Sequence, residues 1–242
     1  MPFDAAWVIA WARLSADAVR ERREELTALD AAIGDGDHGE NLDRGLHAAV
    51  AALDEAQASG RGPATPAEAL KTVATTLITT VGGAAGPLLG TACLWAARAA
   101  QTVGGDDGRI DAAGVARILH EACAGAQSRG RAEPGDKTMV DAWYLAAGAA
   151  RLAADEGLGP VEAIERAARA AAEGAAATDP LMARKGRASY LGERSRGHRD
   201  PGAESTAILL AAAARAARRA LLARRACRGL LARRGLLARG AR

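Results

Sequence analysis

The chain has 242 residues, of which 49% are hydrophobic and only 3% aromatic, with a formal net charge of +3. This length suits one domain, with or without an appendage, and the alanine-rich, β-branch-poor composition favours an all-α fold. Cys93, Cys123 and Cys227 are an odd number with no CxxC spacing, which argues against a disulfide framework and structural zinc and fits a reducing cytoplasm.

In chain order, the apolar periodicity predicts helices over 4–29, 40–58, 66–80, 87–103, 111–128, 138–156, 160–177 and 202–220. The N-terminus lacks a basic region before its apolar stretch, so no signal peptide is expected. Thr65-Pro66 and Asp200-Pro201 each set a capping residue before a first-turn proline, and Asp111 and Asp136 can cap the fifth and sixth helices. Gly60, Gly104, Gly130 and Gly157 are suitable stops. Residues 72–97 carry no charge, which is long enough for a membrane span, but Gly82, Gly83, Gly86 and Pro87 interrupt them. Two buried helices joined by a glycine loop are expected instead. Eight helices on mostly short links predict an up-and-down bundle or closed helical barrel.

The 182–201 connection is long and lacks helical periodicity, as functional loops often do. Residues 205–242 hold ten arginines and no acidic residue, leaving 22 basic against 29 acidic residues before them. The basic excess therefore belongs to the C-terminal tail and is no nucleic-acid footprint of the whole chain. Residues 1–215 are expected to form the domain and 216–242 a disordered basic tail. A membrane- or partner-binding segment, or an end produced by an altered reading frame, are the alternatives for that tail.

Four stretches can carry chemistry. In LDAAIGDGDHGEN, residues 29–41, Asp30, Asp35 and Asp37 converge only if the loop folds back, which Gly34, Gly36 and Gly39 permit. Carboxylates that close repel unless a cation neutralises them, and hard oxygen ligands select Mg²⁺ or Ca²⁺. The bland alternative is an Asp/Gly turn with a helix cap. In VGGAAGPLLGT, residues 81–91, a glycine run before Pro87 aims free backbone N–H groups at one point, an anion site unless the glycines serve only close helix packing. In SRGRAEPGDKTMVDAW, residues 128–143, a rigid turn precedes a helix whose first turn carries Met139, ordinarily a core residue. In KGRASYLGERSRGHRDPG, residues 185–202, Lys185, Arg187, Arg194 and Arg196 are candidate phosphate partners or a solvated basic loop. Together they suggest a metal–nucleotide site. His47 and His120 sit in helical patterns, whereas His38 and His198 sit in these loops. GxSxG, HExxH and Walker A motifs are absent.

The stretches IGDGDHGENLDRG, VGGAAGPLLGT, SRGRAEPGDKTM and ARKGRASYLGERSRGHRDPGA, in this order, resemble the nucleotide-binding L subunit of bacterial dihydroxyacetone kinase over about residues 5–215. The resemblance implies an eight-helix barrel with the nucleotide in the loops at one end. It implies that Asp30, Asp35 and Asp37 bind two Mg²⁺ ions that bridge the phosphates of ADP or ATP. His38, Gly39, Glu40 and Asn41 would line the nucleotide, with Ala84 and Ala85 at the phosphates. Gly130 and Met139 would approach the adenosine, Arg187 the phosphates, and Asp200, Pro201 and Gly202 would close the site. The implied partners are a separate K subunit, which holds dihydroxyacetone covalently on a histidine, and an M-type phosphohistidine protein that rephosphorylates bound ADP. A lone L-type chain favours this phosphotransferase branch over ATP-dependent relatives. A kinase for another ketose or an acyl acceptor, and a non-catalytic nucleotide sensor, remain as rivals. Nucleic acid is not expected as a partner. Ala85 stands where many relatives have serine, and Glu40 adds a charge beside the aspartates.

Overall fold

A computed structural model of the chain describes residues 3–104 and 110–239, with side chains described as far as Ala226. Its helices are α1 (Ala5–Glu21), α2 (Arg23–Ile33), α3 (His38–Ala58), α4 (Pro66–Thr80), α5 (Ala85–Thr102), α6 (Ala112–Gly130), α7 (Met139–Asp155), α8 (Pro160–Ala177) and α9 (Pro201–Arg239). A 3₁₀ segment spans Arg187–Ser195, and no strand occurs among the described residues. The all-α expectation holds, and no described helix is long and apolar enough to cross a membrane. The uncharged 72–97 stretch is two helices broken at the glycines, as expected.

Several helix starts follow from their capping residues. Asp4, Thr65 and Asp111 accept hydrogen bonds from Trp7, Glu68 and Gly114 N–H, at 2.9, 3.2 and 2.8 Å. These bonds satisfy donors that a helix N-terminus leaves free. Three expectations are corrected. The single helix over 4–29 is two, because the backbone at Arg22 (φ −110°, ψ 17°) leaves the helical region. Thr138, not Asp136, caps α7, through a capping box with Asp141; Asp136 instead accepts from Glu133 N–H at 2.9 Å. The last helix does not end near 220 but runs to Arg239.

From α2 onward each helix packs on its chain neighbour, and α9 returns to α1, which also packs on α3. The indole N–H of Trp11 seals that return, donating to the Leu209 carbonyl at 3.0 Å. The core is largely alanine, leucine and valine from all the helices, with Leu26, Leu42, Leu53, Val73, Leu89 and Ile164 at most 2% exposed. Small side chains let helices approach closely, so many weak dispersion contacts replace a few aromatic ones. A second, small cluster joins Ile33 at the end of α2 to Ala183 and Ala188 of the long loop. Because successive helices alternate in direction, α3, α5, α7 and α9 all begin at one end of the molecule.

Candidate functional site

At that end lies a cavity of about 440 Å³, a size typical of small-molecule sites. Its walls come from the end of α2, the starts of α3, α5, α7 and α9, the end of α6, and the loop at 185–188. Four helix N-termini carry partial positive charge toward one space, which suits an anion.

The acidic loop is built at the α2–α3 junction. One carboxylate oxygen of Asp30 accepts from the backbone N–H groups of Asp37 and His38, at 2.9 and 3.2 Å, which folds the loop back on itself. Gly36 turns it with φ +74°, and a Cβ at Gly34 would lie 2.1 Å from Oδ1 of Asp30, so only glycine passes there. The result is that Asp30, Asp35 and Asp37 each offer a carboxylate oxygen within 4.8 Å of the others. Three hard, anionic donors at that spacing fit a divalent cation such as Mg²⁺. Arg187 of the long loop pairs with Asp35, placing a monovalent cation against one of these carboxylates.

His38, at the first position of α3, is buried, and its Nε2 lies 3.0 Å from Ser205 Oγ. Burial lowers its pKa, against the opposing pull of the Asp30 and Asp37 charges. Across the cavity, no side chain among the described residues caps α5, whose N-cap is Ala84. The N–H groups of Ala85 and Gly86 therefore stay available to an anion. A Cβ at Gly82 would lie 3.0 Å from Asn41 Oδ1, so the glycine loop rests on the Asn41 side chain.

The α9 entrance is held by Asp200. Its Oδ2 accepts from Ala203 N–H at 2.7 Å, and its own N–H donates to Thr178 Oγ1 at 3.0 Å. Burial pushes its pKa up to about 7, beyond what the Ala203 hydrogen bond offsets.

Of the residues singled out from sequence, Asp30, Asp35, Asp37, His38, Asn41, Ala84, Ala85, Gly130, Met139, Arg187, Asp200, Pro201 and Gly202 all line this cavity. Gly39 and Glu40 do not. Gly39 faces α2 instead: a Cβ there would lie 2.1 Å from the Arg23 carbonyl oxygen. Glu40 is exposed, which answers one question its charge raises: it faces solvent outside the cavity lining. Arg194 and Arg196 also lie outside the lining, and the latter pairs with Glu193. Met139 is buried as core and lines the cavity as well, so the two readings of it coincide.

Sequence reasoning missed Lys137, Ser205 and Arg199. Lys137 is 1% exposed and lines the cavity. Arg199 makes a bidentate pair with Asp179, both bonds 3.1 Å, and reaches buried Glu204 at 3.1 Å. Glu204 in turn pairs with Arg22 at the α1–α2 break, 2.8 Å away. Lys137 and Arg199 lie in loops and Ser205 in the first turns of α9, and nothing in the local sequence separates them from ordinary polar positions.

Comparison with known proteins adds to this geometry. A family model described as "DAK2 domain" matches residues 32–215. The "PEP-dependent dihydroxyacetone kinase 1, ADP-binding subunit DhaL" of Listeria innocua is 39% identical over 209 residues, 86% of this chain and 95% of that protein. The corresponding "ADP-binding subunit DhaL" of Escherichia coli K12 is 38% identical over 218 residues, 90% of this chain and all of that one. The crystal structure of the dihydroxyacetone kinase of C. freundii superposes with a TM-score of 0.61 at 25% identity, over 87% of this chain. That chain is longer, and the match covers 34% of it. Its complex with AMP-PNP and Mg²⁺ matches with a TM-score of 0.60 at 24% identity, evidence of shared fold.

Proposed function

The chain belongs to the DAK2 domain family, and from that premise we propose that it is the nucleotide-binding subunit of a dihydroxyacetone kinase. The observation that carries this reading is the meeting, in one cavity, of three carboxylates within 4.8 Å of one another and the uncapped start of α5. One feature suits a divalent cation and the other a phosphate, and nucleoside phosphates bring both together.

In this reading Asp30, Asp35 and Asp37 hold two Mg²⁺ ions, whose role when bound is to neutralise phosphate charge. The protein's own part is positioning. Ala85 and Gly86 N–H groups donate to phosphate oxygens. Arg187 exchanges Asp35 for a phosphate oxygen once the carboxylates are otherwise neutralised. Gly130 and Met139 pack against the adenosine, while His38 and Asn41 line the phosphate side and Asp200, Pro201 and Gly202 close the wall. Backbone N–H groups at Gly39 and Glu40 remain part of the proposed site even though neither residue lines the cavity. With backbone N–H groups serving the phosphates, the loss of a hydroxyl at Ala85 is tolerated. No side chain is assigned as a general base.

The acceptor is dihydroxyacetone held covalently on a separate K-type subunit, and ADP stays bound as a cofactor that an M-type phosphohistidine protein rephosphorylates. The ADP-binding subunits of PEP-dependent kinases among the relatives, matched over nearly their full length, support this branch. The reading assigns the kinase to the cytoplasm. It assigns nucleotide binding to residues 1–215 and makes 216–242 an appendage without a share in the site. The end of the family match at 215 and the last buried residue, Ala217, support that division.

The test is reconstitution: phosphoenolpyruvate, the general phosphotransferase proteins, M-type and K-type partners, this chain and dihydroxyacetone, with ATP as the competing donor. Dihydroxyacetone phosphate formed from phosphoenolpyruvate only when this chain is present is the expected result. Failure of the purified chain to bind ADP with Mg²⁺ rules the reading out.

A further inference from the structure

The ammonium of Lys137 is in an unusual place. Its side chain is 1% exposed, yet among the described residues no carboxylate bonds to it directly; Asp200, Asp179 and Asp141 act on it only by their charge from further away. Its Nζ donates instead to the carbonyl oxygens of Thr178 at 2.6 Å, of Asp179 at 3.4 Å, and of His198. An ammonium has three N–H donors, and here three carbonyls take them. None is left for a phosphate, although Lys137 lines the cavity. Its backbone sits at φ +61°, a region that side-chain-bearing residues adopt at a cost. Burying a cation whose direct acceptors are all neutral carbonyls is costly in general, so such a residue is expected to hold something the site needs.

What it holds is the neck of a loop. Thr178 and Asp179 lie where α8 ends, and His198 just before α9 begins. The same neck is tied by Gly197 N–H to the Asp179 carbonyl at 2.8 Å and by Arg199 to the Asp179 carboxylate. Next to Lys137, the Asp136 carbonyl accepts from Arg184 N–H at 3.1 Å, so the turn before α7 grips the loop twice. Between those anchors the chain carries Lys185 and Arg187 to the cavity.

We propose that Lys137 is a positioning residue: its buried ammonium staples the base of the 179–197 loop so that Arg187 is presented to the phosphates of the bound nucleotide. This rests on the nucleotide-site reading above. Lys137 touches no substrate. It acts through the loop, and its effect on binding therefore requires Arg187.

A double-mutant cycle tests this by titration calorimetry of ADP in excess Mg²⁺, on Lys137→Met, Arg187→Ala and the double variant. Arg187→Ala is expected to weaken ADP binding tenfold or more, and Lys137→Met severalfold, up to that limit. The double variant should bind within about twofold of Arg187→Ala, because a staple that acts through Arg187 has no effect once that side chain is gone. A merely structural lysine gives effects that multiply, and multiplicative effects overturn the proposal. Wild-type affinity in Lys137→Met overturns it too. Should Lys137→Met fail to melt cooperatively, Lys137→Gln, which keeps two N–H donors, enters the cycle with the same expectation. Absence of Mg²⁺-dependent ADP binding in the wild type instead defeats the nucleotide-site reading, so the two failures are distinct.

Discussion

Asp30 has two separable tasks, and replacing it by asparagine or alanine pulls them apart. Its carboxylate is one of three converging anions, and its Oδ2 also accepts from the N–H groups of Asp37 and His38. Asp30→Asn keeps an oxygen for those N–H groups and removes one negative charge. Asp30→Ala removes both, leaving two part-buried donors short of a partner at a cost of about 1 kcal/mol each, the low end of the buried range. Two unit charges 4 Å apart interact by about 4 kcal/mol at the effective dielectric of a protein surface, and a divalent ion by more. Even with most of that screened, Asp30→Asn should weaken Mg²⁺-dependent ADP binding by about 100-fold, or roughly 2.7 kcal/mol. Ligand at 100 times its Kd stabilises the native state by about 2.7 kcal/mol. For a chain of this size that raises Tm by about 5–10 °C. Thermal melts with and without Mg²⁺–ADP therefore read both tasks at once. Asp30→Asn should melt near the unliganded wild type and show a ligand shift of only about 1 °C, because that ligand concentration is then near its Kd, whereas Asp30→Ala should also melt lower without ligand. An Asp30→Asn variant that keeps the full ligand shift refutes the claim that these carboxylates hold the metal.

Three further outcomes follow from the geometry. The folded pKa of Asp200, raised from 3.8 to about 7, lies above its unfolded value, so its contribution to stability is full below pH 4 and is lost as pH rises through 7. Asp200→Asn keeps the cap oxygen, and its Tm should fall less than that of the wild type between pH 5 and 8; parallel curves would count against burial as the cause. Gly39→Ala puts a methyl group 2.1 Å from the Arg23 carbonyl oxygen and 2.5 Å from Thr27 Oγ1, so α3 must shift from α2, costing about 1–3 kcal/mol in chemical denaturation. Ending the chain after Leu222 removes residues that, as far as Ala226, are all exposed, and should leave Tm within about 2 °C and ADP affinity within twofold, by the same calorimetry and melts.

The fold was legible in the sequence where local chemistry decides it. Thr65-Pro66 and Asp111 announce helix starts that the structure keeps, and α8 begins and ends at the predicted residues. The errors fall where distant contacts outweigh local preference. The break at Arg22 is not visible in the apolar pattern; its guanidinium pairs locally with Glu25 and also reaches Glu204, far along the chain. The loop at 187–195 lacks helical periodicity yet forms 3₁₀ turns, because Ala188 and Leu191 pack on Ile33 of α2. Gly39 sits in the acidic motif and reads as a loop glycine, whereas its need is steric and set by α2.

By itself the sequence determined the residue types of the site: three aspartates spaced to fold back, a glycine run before a helix, and a basic loop. Those are local properties, since dihedral freedom and charge travel with the residue. Tertiary structure alone decided that the carboxylates share a cavity with four helix N-termini, that Arg187 sits on Asp35, and that Lys137 spends its three donors on the loop neck. A charge has no address until packing supplies its neighbours and strips its water, and the partners of Lys137 lie 41 to 61 residues away along the chain.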